Sequence, residues 1–159
     1  FDLSRWRIAG NGADMIRPDV MQAFVDAFAD AGFKAQAFCP SYGLAEATLA
    51  VSLMPPGEGI RIELVEESEL SGAGTPAQER PRRYRAIVNC GKPVEGMEIE
   101  IRDADGAILS DRQIGKVWVR GNSVMVGYFR DEESTAACMK GGWLDTGDMG
   151  YLSGGYIFI

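Results

Sequence analysis

The chain has 159 residues, a net charge of −7, 46% apolar residues and no histidine. That apolar share supports a buried core in one compact domain or two small subdomains and excludes wholesale disorder. The acidic balance argues against a nucleic-acid surface, and the missing histidine removes Ser-His-Asp and Cys-His chemistry within this chain.

Trp6 to Ala9 reads as a short strand entering the turn Gly10-Asn11-Gly12-Ala13. Pro18 suits the first turn of a helix, and Val20, Met21, Phe24, Val25 and Phe28 recur at helical spacing up to Ala31. Gly32 ends that helix. Ala35 to Cys39 reads as a short buried strand, Pro40 and Gly43 bracket a turn, and a short helix starts near Leu44. Strand, helix, strand, turn, helix is the order of an α/β layer.

Pro55-Pro56-Gly57 breaks the chain, and a boundary near residues 54 to 60 divides it into a 1–56 portion and a 57–159 portion. Ile60 to Val65 alternates like a strand. The stretch at about 66–85 is polar and rich in Glu, Ser, Gly, Pro and Arg, so it reads as a loop or insertion; the basic cluster Arg80 to Arg85 within it reads as solvated. Ala86 to Cys90, Glu98 to Arg102 and Gly115 to Arg120 are strand-like, with Asp105-Gly106 a hairpin turn signal. Asp131 caps a short helix to Met139, and Tyr151-Leu152 and Tyr156 to Ile159 flank a hairpin turn at Ser153-Gly154-Gly155. Several short strands separated by turns suggest a small β-barrel or sandwich.

Cys39, Cys90 and Cys138 are scattered and match no ligand spacing, so the expectation is reduced, mostly buried thiols in a cytoplasmic protein, with no zinc site. There is no signal peptide and no apolar run of membrane-spanning length.

Two segments carry the chemistry. Tyr42-Gly43-Leu44-Ala45-Glu46-Ala47-Thr48 presents an aromatic ring and a carboxylate beside a glycine turn. Glu46 is either a hard-oxygen ligand for Mg²⁺ or a helix-start glutamate favoured by the helix dipole. Tyr42 either stacks on a base or packs half-buried. In Trp143-Leu144-Asp145-Thr146-Gly147-Asp148, Asp148 either accepts two hydrogen bonds from a ribose or bonds its own backbone in a turn. Gly10-Asn11-Gly12-Ala13-Asp14 lacks the third glycine of a dinucleotide fingerprint, and its small residues suit either a flat adenine edge or a plain strand-to-helix turn. Arg120 is either a phosphate ligand or a surface strand-end arginine.

Taken in order, four blocks resemble the adenylate-forming enzymes, which include acyl-CoA ligases, nonribosomal peptide adenylation domains and luciferase. They are Gly10 to Ile16, Tyr42 to Thr48, Gly115 to Phe129 and Trp143 to Asp148, and the resemblance covers essentially the whole chain. Asp2-Leu3-Ser4-Arg5-Trp6-Arg7, YGLAEATLAVS and Cys90-Gly91-Lys92-Pro93 look most like the fatty acyl-AMP ligases, which also carry an insertion where Pro55 to Arg85 lies here.

This resemblance implies an α/β fold forming the C-terminal part of the family's large N-terminal domain, an α/β layer followed by a small distorted β-barrel. It implies ATP and Mg²⁺ as cofactors. Glu46 would be the catalytic, metal-binding carboxylate. Asp148 would hold the ribose, and Tyr42 and Gly43 would lie at the adenine ring, with Gly12, Ala13 and Asp14 along its edge. The substrate would be a fatty acid, activated to acyl-AMP and passed to an acyl carrier protein; in an acyl-CoA ligase the acceptor would be CoA. In the fatty acyl-AMP ligases the insertion is thought to hinder the domain rotation needed for reaction with CoA. The phosphate loop, the hinge block and the C-terminal lysine of the family have no counterpart in this sequence. The expectation is therefore a fragment, inactive by itself and weak in nucleotide affinity. A non-catalytic nucleotide-binding or interaction module is the alternative from another class.

Overall fold

A computed structural model describes residues 1–66 and 83–159. The first part is a layer of one helix on a small sheet. Strand β1 (Ala9–Asn11) runs parallel to β2 (Phe38–Tyr42), and β2 pairs antiparallel with β3 (Ser52–Leu53), which pairs with β6 (Lys92–Pro93). The crossover between this parallel pair is made by helix α1 (Pro18–Phe28), started by Pro18 in its first turn. Its apolar stripe lays Met21 and Phe24 against Ala9, Phe33 and Phe38. Edge-on ring pairs join Trp6, Phe24, Phe33 and Phe38, a geometry aromatic quadrupoles favour.

Two expected boundaries move. The first strand starts at Ala9 rather than Trp6 and continues through Asn11 into the expected turn. Ala35–Ala37 is a 3₁₀ turn, and the strand begins at Phe38 and includes Pro40 and Tyr42. Pro40 faces Asn11, the last pair of the parallel ladder, so its missing amide falls where the ladder ends. The helix expected near Leu44 is a single 3₁₀ turn, Ala45–Ala47.

The second part is a five-stranded antiparallel sheet. Its order is β11 (Tyr156–Phe158), β10 (Trp143–Ser153), β8 (Gly115–Gly121) and β7 (Met97–Arg102), with β9 (Met139–Lys140) also on β10. A two-stranded sheet, β4 (Ile62–Glu66) with β5 (Tyr84–Val88), packs Val65 on Tyr151 and Phe158. Among the described residues the strands form a curled, open sheet with no pairing between β7 and β11. Helix α2 (Glu132–Cys138) starts at Asp131, whose carboxylate accepts from Ser134 N at 2.9 Å. Of the expected insertion, 67–82 lies outside the described residues; Glu66, Tyr84 and Arg85 are strand residues rather than loop.

One apolar core joins the two parts. Ala47 and Val51 from the first meet Cys90, Ile101, Val117, Val119, Leu144 and Ile157 from the second, all buried. Backbone bonds Val94 N to Val51 O and Met125 N to Glu46 O stitch the same seam. Among the described residues no helix is long and apolar enough to cross a membrane.

Candidate nucleotide site

A cleft of about 550 Å³ opens at the seam, within the size range of small-molecule sites. Ala13, Asp14, Tyr42, Gly43 and Asp148 line it, together with Arg85, Ala86, Val88, Cys90 and Ile159. Tyr42 and Asp148 are 106 positions apart in the chain, yet the Tyr42 hydroxyl donates to Asp148 Oδ2 at 2.6 Å. Burial pushes the Tyr42 phenol well above its ordinary value, and the hydrogen bond to Asp148 adds to the rise. Tyr42 therefore stays a donor at neutral pH.

Asp148 does not sit in a turn. It lies in the long strand β10, where the ladder to β8 shifts register between Asp145 and Met149. Gly147, at φ +79°, makes that irregularity possible. Thr146 Oγ1 donates to Val117 O at 3.0 Å and accepts from Asp148 N at 3.2 Å, fixing the bulge. The shift re-aims the Asp148 side chain into the cleft.

Glu46 stands apart from the cleft lining. It lies in the turn between β2 and β3, half-buried, with Oε1 accepting from the Tyr128 hydroxyl at 2.8 Å. Gly43 is bare for a local reason: a Cβ there would lie 1.5 Å from the Leu49 carbonyl oxygen. The close approach it permits is the chain's own. Gly12 likewise yields to Ser41, whose Oγ and O would lie 2.7 and 2.9 Å from an added Cβ, and it is not a lining residue. Ala13 takes φ +76°, rare for a residue with a side chain, and Asp14 Oδ1 accepts from Met15 N at 2.7 Å. Arg120 points elsewhere: its guanidinium is paired to Glu98 at 2.7 Å and lies over Trp143.

Tyr128 and Thr146 were not singled out in the sequence. Both stand inside quoted blocks, next to glycines, and only the fold shows which partner each hydroxyl meets. Four successive residues, Arg85 to Val88, line the cleft, so strand alternation does not pick them out. Cys39, Cys90 and Cys138 are all free, and burial pushes the Cys90 thiol up to about 11. Among the described residues, no group of three or more Cys, Asp or Glu side chains is placed to hold a metal. A cation at Glu46 would complete its shell largely from phosphate and water, which fits Mg²⁺.

The family model for AMP-binding enzymes matches residues 1–129. The chain belongs to the AMP-binding enzyme family. It is 45% identical to a putative acyl-CoA synthetase of Caulobacter vibrioides over its whole length, and 35% identical over 99% to a medium-chain-fatty-acid–[acyl-carrier-protein] ligase, JamA, of Moorena producens. Among solved structures, one from work on fatty acyl-adenylate ligases of E. coli and L. pneumophila superimposes over 99% of the chain, with a TM-score of 0.86 at 38% identity. That likeness bears out the α/β class and its place in the adenylate-forming N-terminal domain. The chain spans 28–29% of the length of these three relatives.

Proposed function

We propose that this chain forms the adenosine-binding part of a longer fatty acyl-AMP ligase. In that protein a fatty acid carboxylate attacks the α-phosphate of ATP, acyl-AMP forms, pyrophosphate leaves, and the acyl group passes to an acyl carrier protein. One observation carries the reading: Tyr42 and Asp148 meet at 2.6 Å in a cleft also lined by Ala13, Asp14 and Gly43. A half-buried carboxylate with one oxygen anchored by a phenol is suited to accept paired hydroxyls, as acidic residues do for ribose in other nucleotide folds. Tyr42 offers its ring to the adenine, and Gly12, Ala13 and Asp14 shape the approach to its edge.

Glu46 would hold Mg²⁺ together with the ATP phosphates, and the ion would supply charge neutralisation at the phosphates. The chain's own residues bind and orient, which is what an in-line transfer to phosphorus requires.

The carrier-protein acceptor is supported by the likeness to JamA. A second reading, with CoA as acceptor, is supported by the putative acyl-CoA synthetase at 45% identity. The segment 67–83 links Glu66 to Tyr84, the paired ends of β4 and β5, and falls where the fatty acyl-AMP ligases carry an insertion, which supports the carrier protein. The longer ligase, given Mg²⁺, ATP and a labelled fatty acid, is expected to accumulate acyl-AMP. With CoA present the adenylate persists, and with a phosphopantetheinylated carrier protein it is consumed. Conversion to acyl-CoA would establish the second reading. No adenylate under any condition would reduce the protein to a nucleotide-binding module.

A further inference from the structure

The turn that carries Glu46 is under backbone strain. Thr48 and Leu49, neither of them glycine, take φ +54° and +85° in succession. Such geometry persists only where surrounding contacts over-determine it. Besides the turn's own backbone bonds, residues 123–128, in the loop between β8 and α2, reach it at three points. Met125 N donates to the Glu46 carbonyl at 2.7 Å, and Thr48 Oγ1 donates to Ser123 O at 2.8 Å. The third contact reaches the carboxylate itself, where the Tyr128 hydroxyl donates to Glu46 Oε1 at 2.8 Å.

Tyr128 is itself held. Its amide donates to Thr135 Oγ1 at 2.8 Å, and the same hydroxyl donates to Asp131 O at the start of α2. Gly127, at φ +154°, fits against Thr135, where an added Cβ would lie 2.7 Å from the Thr135 methyl. The phenol is thus delivered to Glu46 by a helix start rather than by a free loop. Among the described residues Glu46 Oε2 has no hydrogen-bond donor, so one carboxylate oxygen is anchored and the other is presented.

We propose that Tyr128 is a positioning residue for Glu46, fixing the rotamer in which the carboxylate meets the metal–nucleotide. The inference rests on the ligase reading above. It assigns a role to a residue 82 positions away from the acid, on the opposite half of the chain. Supporting partners of a metal-binding carboxylate typically change metal affinity by about 10–100-fold when removed.

The test uses the longer ligase with ATP and Mn²⁺ as the probe ion, read by electron paramagnetic resonance without fatty acid. Tyr128→Phe keeps the ring and removes only the hydroxyl; equal melting temperatures serve as the control on folding. It is expected to weaken Mn²⁺ binding about tenfold in the presence of ATP. Glu46→Gln weakens it at least as much, and the double variant binds no worse than Glu46→Gln alone, because Tyr128 acts through that carboxylate. Wild-type affinity in Tyr128→Phe, or additive losses in the double variant, overturns the role of Tyr128 while leaving the ligase reading intact. A wild-type protein that neither retains Mn²⁺ with ATP nor forms acyl-AMP overturns both.

Discussion

Replacing Asp148 by Asn keeps an oxygen for the Tyr42 hydroxyl, which donates at 2.6 Å, and removes the negative charge. Hydrogen bonds to charged groups contribute about 1.5–3 kcal/mol and neutral ones about 0.5–1.5 kcal/mol. The difference predicts a rise of roughly tenfold in KM for ATP in the longer ligase. Tyr42→Phe is the complementary change. It keeps the ring that faces the cleft and leaves Asp148 without its donor, so the carboxylate samples more orientations. The expected KM rise is smaller, about three- to tenfold, since a single hydrogen bond is lost. Steady-state titration of ATP at saturating fatty acid separates the two. An unchanged KM in Asp148→Asn would remove the ribose role from this residue. The two phenols of the site thus act alike, each donating to one acid across the seam, Tyr42 to Asp148 and Tyr128 to Glu46.

The β2–β3 connection shows how one element fixes an acid. Tyr42 O accepts from Val51 N, Leu44 O accepts from Leu49 N, and Gly43 gives room to the Leu49 carbonyl between them. A methyl group at 1.5 Å from that oxygen has no space, and the obstacle is backbone, which cannot rotate away. Gly43→Ala is therefore predicted to destabilise the fold by about 3 kcal/mol or more, through forced overpacking. Thermal melts of the two proteins measure it; a loss under 1 kcal/mol would mean the turn rearranges freely. The glycine was visible in the sequence, but its reason was not, because the oxygen it accommodates is six residues away and approaches only after Thr48 and Leu49 adopt positive φ. Helix α1, β7, β8 and the Asp131 cap were legible because periodicity and capping are local signals. Strand β10 was legible only at its end: Thr146-Gly147-Asp148 reads as a turn, and long-range pairing with β8 carries the chain through it as a bulge. The position of Tyr128 over Glu46 depends on the packing of α2 and the β8 loop, which no local pattern encodes.

For the molecule as a whole, the balance of charge around the cleft decides what it binds unaided. Among the described residues its lining holds two carboxylates, Asp14 and Asp148, and one cation, Arg85. The chain carries −7 overall, so its field opposes a polyanion at long range. The groups proposed to recognise adenosine lie at the seam, while among the described residues a triphosphate meets a lining poor in positive charge. A metal ion at Glu46 would offset part of this charge. The 159-residue chain is therefore predicted to bind adenosine and AMP weakly, to bind ATP no more tightly than adenosine, and to form no acyl-AMP from ATP and fatty acid. Calorimetric titration with the three ligands, each with and without Mg²⁺, makes the comparison. Lowering the ionic strength should weaken ATP relative to adenosine, because screening of the chain's negative field is reduced. If ATP instead bound tenfold more tightly than adenosine, phosphate recognition would reside in this chain and not in the parts of the longer ligase that accompany it.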